Sequence, residues 1–287
     1  MEPFITCNYS GGLGNQLFQA GHAYAVAKRC NKPFYALETF IWDCGAKHPS
    51  TYYSTLLKKI PRTVRSERPI TSISEQGWTA YNILPEVQYV LQNRPEHTLC
   101  LHGNYQSDQC FYGFDAEIKD LFTPDEGVKG WLQTNTDLVT HYPELFSEEG
   151  SETRCFLGVR RTDYVTKADF HNPCGTTYFT KAMETMGPMK YYIASDDIAW
   201  CKQKFVGDQY VFMDIKDDIV QFYAGCLFKN YIIANSTYHW WMSFLSVYAE
   251  PRIIAPDKWI FGSNARWNQY FTIYRKGMEI IQRPVEV

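Results

Sequence analysis

Five short apolar runs in the second half of the chain, at 155–159, 191–194, 210–213, 231–234 and 252–255, restrict the fold more than any other feature. They are rich in β-branched and aromatic residues and bounded by polar clusters, which marks them as strands. The stretches between most of them, about 177–186, 198–205, 218–227 and 238–248, read as helices. Strand and helix in alternation build a parallel sheet with helices on both faces. The first half is less regular. A strand at 4–9, the loop Ser10-Gly11-Gly12-Leu13-Gly14-Asn15-Gln16, a helix at 17–30 and a strand at 34–37 form one βαβ unit. A further strand at 98–101 leads to a helix near 115–122, while 39–96 gives no clear pattern. The polar run Ser147-Glu148-Glu149-Gly150-Ser151-Glu152 predicts a linker within 143–154. The expectation is an α/β protein of two Rossmann-like domains, 1–150 and 151–287.

The polar residues fall where such a fold would use them. Arg160-Arg161-Thr162-Asp163 follows the strand at 155–159, Ser195-Asp196-Asp197 the next, Asp214 with Lys216-Asp217-Asp218 the third, and Asn235-Ser236-Thr237 the fourth. In open parallel sheets, ligands bind at the carboxyl ends of strands. Adjacent arginines point in different directions, so one can enter a cleft while the other braces the loop. A guanidinium fork suits a diphosphate because its hydrogen bonds are bidentate and permanently charged. Ser236 or Thr237 caps the helix that follows, whose N-terminus favours an anion. Trp240, Trp241, Phe244 and Leu245 form that helix's core face. Of Asp196 and Asp197, one caps a helix and the other reaches a ribose or base; the alternative for this pair is a metal site. Asp163 is expected to brace Arg161 as an ion pair.

Charge and length exclude other classes. With 28 basic and 31 acidic residues the formal charge is −3, so no basic field exists to recruit nucleic acid. The start of the chain has no secretory-signal pattern, and no apolar stretch is long enough to span a bilayer. The nine cysteines show neither C-x-x-C pairs nor metal-ligand spacing and read as reduced, mostly buried thiols. A soluble, cytoplasmic protein is expected, peripheral to a membrane if its acceptor is lipid-linked.

Read in order, six segments resemble glycosyltransferase family 11, the α-1,2-fucosyltransferase family. They are Gly11-Gly12-Leu13-Gly14-Asn15-Gln16-Leu17-Phe18-Gln19; Gly103-Asn104-Tyr105-Gln106-Ser107; Val159-Arg160-Arg161-Thr162-Asp163-Tyr164, similar to H-x-R-R-G-D-Y; Tyr192-Ile193-Ala194-Ser195-Asp196-Asp197; the run from Asn230 through Asn235-Ser236-Thr237 to Trp241; and Ile254-Ala255-Pro256-Asp257-Lys258-Trp259. The resemblance implies a GT-B fold, with domains facing across a cleft, GDP-fucose as donor held mainly by the second domain, inversion at the anomeric carbon, and no metal or other cofactor. By position it implies that Arg160 holds the diphosphate. Gly12, Gly14, Asn15 and Gln16 would approach the phosphates or fucose. Asp196 or Asp197 would contact ribose or guanine, and Ser236 and Thr237 phosphate oxygens. Arg161 and Asn235 complete the candidate donor-binding set. Asp169, in the loop after the arginine pair, is the candidate base.

Two departures stand out. The motif's histidine is Gly158 here, and its glycine is Thr162; related α-1,6-fucosyltransferases also read R-R-T-D. The function expected is fucosyl transfer from GDP-fucose to a glycan hydroxyl, such as one on terminal galactose, in α-1,2 linkage. The alternatives are another GDP-sugar or linkage, or a GDP-sugar- or glycan-binding protein without turnover.

Overall fold

The computed structural model describes residues 1–38, 47–75, 83–171, 173–260 and 273–283. The chain divides into two compact units: residues 1–124 with 270–275, and residues 125–269 with 276–287.

The first unit begins with β1 (Ile5–Cys7) and α1 (Leu13–Arg29), followed by the short strands β2 (Ala36–Leu37) and β3 (Arg62–Thr63). Then come β4 (Ile70–Ser74), α2 (Leu84–Asn93), β5 (Thr98–His102) and α3 (Asp115–Phe122). Its main sheet has the order β1-β5-β4, all parallel, with Thr6 opposite Cys100 and Ser72 opposite Cys100. Helix α1 starts four residues before the sequence pattern suggests, with Gly12 at its N-cap, and is buried almost all round. A Cβ on Gly21 would stand 3.6 Å from Ile118 and from Phe111, so a small residue lets α1 lie close to its neighbours. Asn31, at φ +49°, ends the helix in the left-handed region that asparagine tolerates.

The second unit opens with α4 (Glu126–Thr134) and α5 (Thr136–His141), then β6 (Arg154–Val159), the short helices α6 (Thr162–Thr166) and α7 (Ala168–His171), and α8 (Thr176–Met186). There follow β7 (Lys190–Ser195), α9 (Ile198–Lys204), β8 (Tyr210–Phe212), α10 (Asp218–Gly225), β9 (Asn230–Ile233), α11 (Thr237–Phe244), β10 (Arg252–Pro256) and β11 (Met278–Ile281). The six strands form one parallel sheet in the order β11-β10-β9-β6-β7-β8. Chain order reverses direction at the β6/β9 pair, where Leu157 lies opposite Ile232. Alternation along β6 sorts the core. Cys155, Leu157 and Val159 face the cluster of Tyr178, Phe179, Ala182, Cys201 and Phe205. Phe156 faces the other layer, with ring centroids 5.7 Å from Phe228, 5.9 Å from Tyr231 and 5.8 Å from His239.

The structure moves the expected boundary from 150/151 to 124/125. The polar run at 147–152 is not a free linker, because its neighbours are anchored inside the second unit. Tyr142 Oη donates to Phe212 O at 3.1 Å, Tyr192 Oη donates to Glu144 Oε1 at 2.6 Å, and the Arg154 guanidinium binds the carbonyls of Glu144 and Ser147. Strand β4 and helix α2 lie within the stretch that gave no sequence pattern.

The eight described cysteines are free thiols. No described helix is long and apolar enough to cross a membrane. Trp240, fully buried in α11, stacks on Phe244 at 5.3 Å. Trp240→Ala is expected to cost about 3–5 kcal/mol, the range for truncating a buried aromatic. A lower urea midpoint of the far-ultraviolet circular dichroism checks this.

Candidate functional site

In the second unit the site forms around the carboxylate of Asp196, at the end of β7. Its Oδ1 accepts the backbone N–H of Arg161 at 2.8 Å; Oδ2 accepts the N–H of Thr162 at 3.1 Å and the Thr162 hydroxyl at 2.5 Å. The same Oδ2 lies 3.3 Å from the Arg160 guanidinium. One side chain thereby fixes the turn that leaves β6. Asp197 caps α9, accepting the N–H of Trp200 at 3.1 Å. The sequence reading assigned one aspartate of the pair to a cap, and the capping one is Asp197.

The two arginines are held differently. Arg161 lies over the Trp200 ring at 3.9 Å and pairs with Asp197 at 3.4 Å, with its side chain 17% exposed. Arg160 pairs with Asp163 at 2.6 Å and is 35% exposed. This corrects the expected Asp163–Arg161 pair: Asp163 stands one helical turn on from Arg160, and Arg161 has Asp197 instead. A half-exposed ion pair contributes at most about 1 kcal/mol, so Asp163 holds Arg160 only weakly. Arg161, stacked and paired, is the brace; Arg160 is the fork free to meet a ligand.

The end of β9 adjoins this turn. Tyr164 Oη donates to Asn235 O at 3.0 Å, and the Tyr164 ring stacks on His171 at 3.9 Å. The Asn235 side chain, completely buried, donates to His171 O at 2.7 Å and Trp259 O at 2.9 Å. Its amide N–H groups are therefore committed to bracing loops, and the backbone N–H of Ser236 donates to Ala234 O at 2.8 Å. Ser236 occupies the N-cap of α11 without a side-chain capping bond. Asp169 is exposed on α7.

In the first unit the glycine loop has a similar brace. Gly11 takes φ +72°, and a Cβ there would stand 2.4 Å from Asn15 Nδ2. Gln16 is buried and donates to Gly11 O at 3.0 Å and Lys47 O at 2.9 Å, so its amide shapes the loop. Asn15 Oδ1 accepts from Gln106 Nε2 at 2.9 Å. Gly12 and Gly14 lie at the cap and in the first turn of α1. The structure thus gathers Arg160, Arg161, Asp196, Asp197, Asn235, Ser236 and Thr237 at one sheet edge of the second unit. Gly12, Gly14, Asn15 and Gln16 gather in the first.

Sequence reasoning missed Thr162, Tyr164, Trp200 and Glu75 as parts of these networks. Glu75 follows β4 beside the Gly103–Ser107 loop. Its Oε2 accepts the N–H of Asn104 at 2.8 Å and of Tyr105 at 3.3 Å, holding Tyr105 at φ +49°. A Cβ on Gly103 would come within 2.5 Å of Glu75, so the glycine is needed for that approach. Burial raises the Glu75 carboxyl to about 7, against the lowering effect of its two amide partners. The raised value favours the protonated form in the fold. Stability from this group is therefore full below the unfolded value of 4.5 and falls as pH rises through about 7. Glu75→Gln removes the titration, so the variant should gain on the parent between those pH values by at most roughly 3 kcal/mol. Denaturant unfolding of both proteins at pH 5 and pH 8 measures it; an unchanged difference contradicts a raised carboxyl.

The pattern of glycosyl transferase family 11 matches residues 5–264. The chain is 26% identical to the O-antigen biosynthesis glycosyltransferase WbnK of Escherichia coli, covering 89% of this chain and 94% of that protein. It is 24% identical to an α-1,2-colitosyltransferase of Escherichia coli, covering 89% and 92%. It is 25% identical to a galactoside 2-α-L-fucosyltransferase of Caenorhabditis elegans, covering 85% and 69%. The solved structure of the NodZ α-1,6-fucosyltransferase, co-crystallised with GDP, covers 90% of this chain and 96% of its own at a TM-score of 0.54 and 13% identity. The fold is α/β of the GT-B type, with parallel sheets in both units.

Proposed function

We propose that this chain, which belongs to glycosyl transferase family 11, transfers fucose from GDP-fucose to a hydroxyl of a glycan acceptor with inversion, in α-1,2 linkage and without a metal ion. Arg160 carries the reading. Its guanidinium leaves β6 at the reversal point of a six-stranded parallel sheet, held by Asp163 and Asp196 and adjoined by the start of α11. That is where a doubly wound sheet accepts a nucleotide. The second unit takes the donor and the first the acceptor. Asp196 and Asp197 are already engaged by backbone amides, a hydroxyl and arginines, which supports charge neutralisation by Arg160 and the α11 N-terminus rather than by an aspartate-bound metal. The free thiols suit a reducing compartment.

In the reaction, the acceptor oxygen bonds to the anomeric carbon as the bond from that carbon to the diphosphate oxygen breaks. The electron pair leaves with GDP, and the acceptor proton passes to a carboxylate, for which Asp169 is the candidate. For a loose, oxocarbenium-like step, stabilising the departing diphosphate dominates. The relationship to a colitosyltransferase favours a second reading, in which the donor carries a different deoxy sugar.

Calorimetric titration with GDP, UDP and ADP in excess EDTA tests the donor class. Selective GDP binding is expected; preference for UDP, or binding that disappears with EDTA, overturns it. Arg160→Ala should lower turnover roughly 10²–10³-fold, the scale for losing one preorganised donor. Retention of more than about a tenth of parental turnover removes that role, as a tenfold effect is under 1.4 kcal/mol. Asp169→Asn should abolish transfer with GDP binding intact; unchanged transfer takes Asp169 out of the mechanism.

A further inference from the structure

Gly158 and His239 share one space. The imidazole of His239, in the first turn of α11, lies directly against the backbone of Gly158 in β6. A Cβ at 158 would stand 2.6 Å from Nδ1, 2.7 Å from Cγ and 2.9 Å from Cε1. No ordinary side chain fits at 158 while this ring is in place. Phe156, Gly158 and Arg160 alternate onto the same face as they follow β6 outward, so the ring sits one strand step below Arg160. Arg160 and Asp196 are its charged neighbours.

The ring has a feature that packing alone does not account for. His239 is 3% exposed, and its Nδ1 is sealed from solvent without a hydrogen-bond partner. A buried polar atom left unpaired needs a reason; a phenylalanine would fill the same space without that cost. Burial, reinforced by Arg160, lowers the imidazole to about 3, so the ring is neutral near neutral pH. A neutral imidazole has one N–H and one lone pair. Sealing a lone pair is less costly than sealing an N–H, which assigns the proton to Nε2. The three distances from a Cβ at 158 lie within 0.3 Å of one another, so Gly158 meets the face of the ring over Nδ1, and Nε2, unlike Nδ1, is not among the sealed unpaired atoms.

Resting on the GDP-sugar reading, we propose that His239 is a specificity-determining contact to the donor diphosphate, an uncharged Nε2–H donor placed beside Arg160, and that Gly158 is the space that admits it. The position where the family motif has a strand histidine is thus served, in this chain, by a histidine from the facing helix.

His239→Phe keeps the ring-sized filling and removes the donor. His239→Gln keeps an N–H₂ near the place of Nε2. GDP titration of the full chain, with thermal unfolding of each variant, separates ligand contact from packing. His239→Phe is expected to weaken GDP binding by roughly 10–100-fold, the scale for losing one hydrogen bond to a charged group, with an unchanged midpoint. His239→Gln should bind within about threefold of the parent. Parental affinity in His239→Phe, or equal losses in both variants with a lowered midpoint, overturns the proposal. If the parent binds UDP or ADP instead and His239→Phe weakens that ligand, the GDP reading fails while the diphosphate contact stands. If the parent binds no nucleoside diphosphate, both fall.

Discussion

The carboxyl edge of the sheet in the second unit depends on one carboxylate. Asp196 receives two backbone N–H groups, a hydroxyl and the flank of a guanidinium, all from the turn that leaves the neighbouring strand. Without it, Arg161 and Thr162 would present unpaired amides, and nothing would tie the exit of β6 to the exit of β7. The hydrogen bonds are charge-assisted and converge on a single group. That convergence sets the direction in which Arg160 leaves the sheet, before any ligand is present.

A second set of bonds joins this turn to the other half of the sheet. Tyr164 reaches Asn235 O, and the Asn235 amide reaches His171 and Trp259. Strands β6 and β9 are already neighbours in the sheet, so these bonds cross the point where chain order reverses. Helices diverging to opposite faces leave a crevice there. Arg160 leaves β6 on one side of this point and α11 begins on the other, an arrangement that supports the phosphate site proposed above.

Much of this was legible because parallel strands covered on both faces have no choice but to be apolar. That is why β6, β7, β9 and β10 stand out, and why the polar residues at their ends could be read as a site. The edge strand β11 did not stand out, since Met278–Ile281 is only partly buried and carries Glu279. Helices α4 and α5 were not placed with the second unit, because the signal for that is the long-range pairing of Tyr142 with Phe212. The polar run at 147–152 looked like a linker since its anchors are backbone carbonyls, which composition does not reveal. At the site, Arg160 and Asp196 were legible from position alone. The inward, bracing orientation of Asn235 and Gln16 was not, because side-chain direction follows from tertiary contacts. Glu75 was hidden in a stretch without periodicity, and His239 among the residues of a core face.

The two adjacent arginines show how the sheet divides labour that a sequence leaves ambiguous. Consecutive residues leaving a strand point to opposite sides, so only one could join the face of Phe156 and Gly158. Arg161 turns to the other side, where Trp200 and Asp197 meet it and water is mostly excluded. A desolvated cation–π contact combined with an ion pair is costly to disrupt, and that suits a residue whose task is to hold the turn. Arg160 keeps an exposed partner, Asp163, which compensates its charge but binds it weakly. A diphosphate brings more negative charge and a better geometric match to the fork than one exposed carboxylate. On the proposed donor reading, the exchange of Asp163 for phosphate oxygens would run in favour of the ligand, while the brace that aims the guanidinium stays in place.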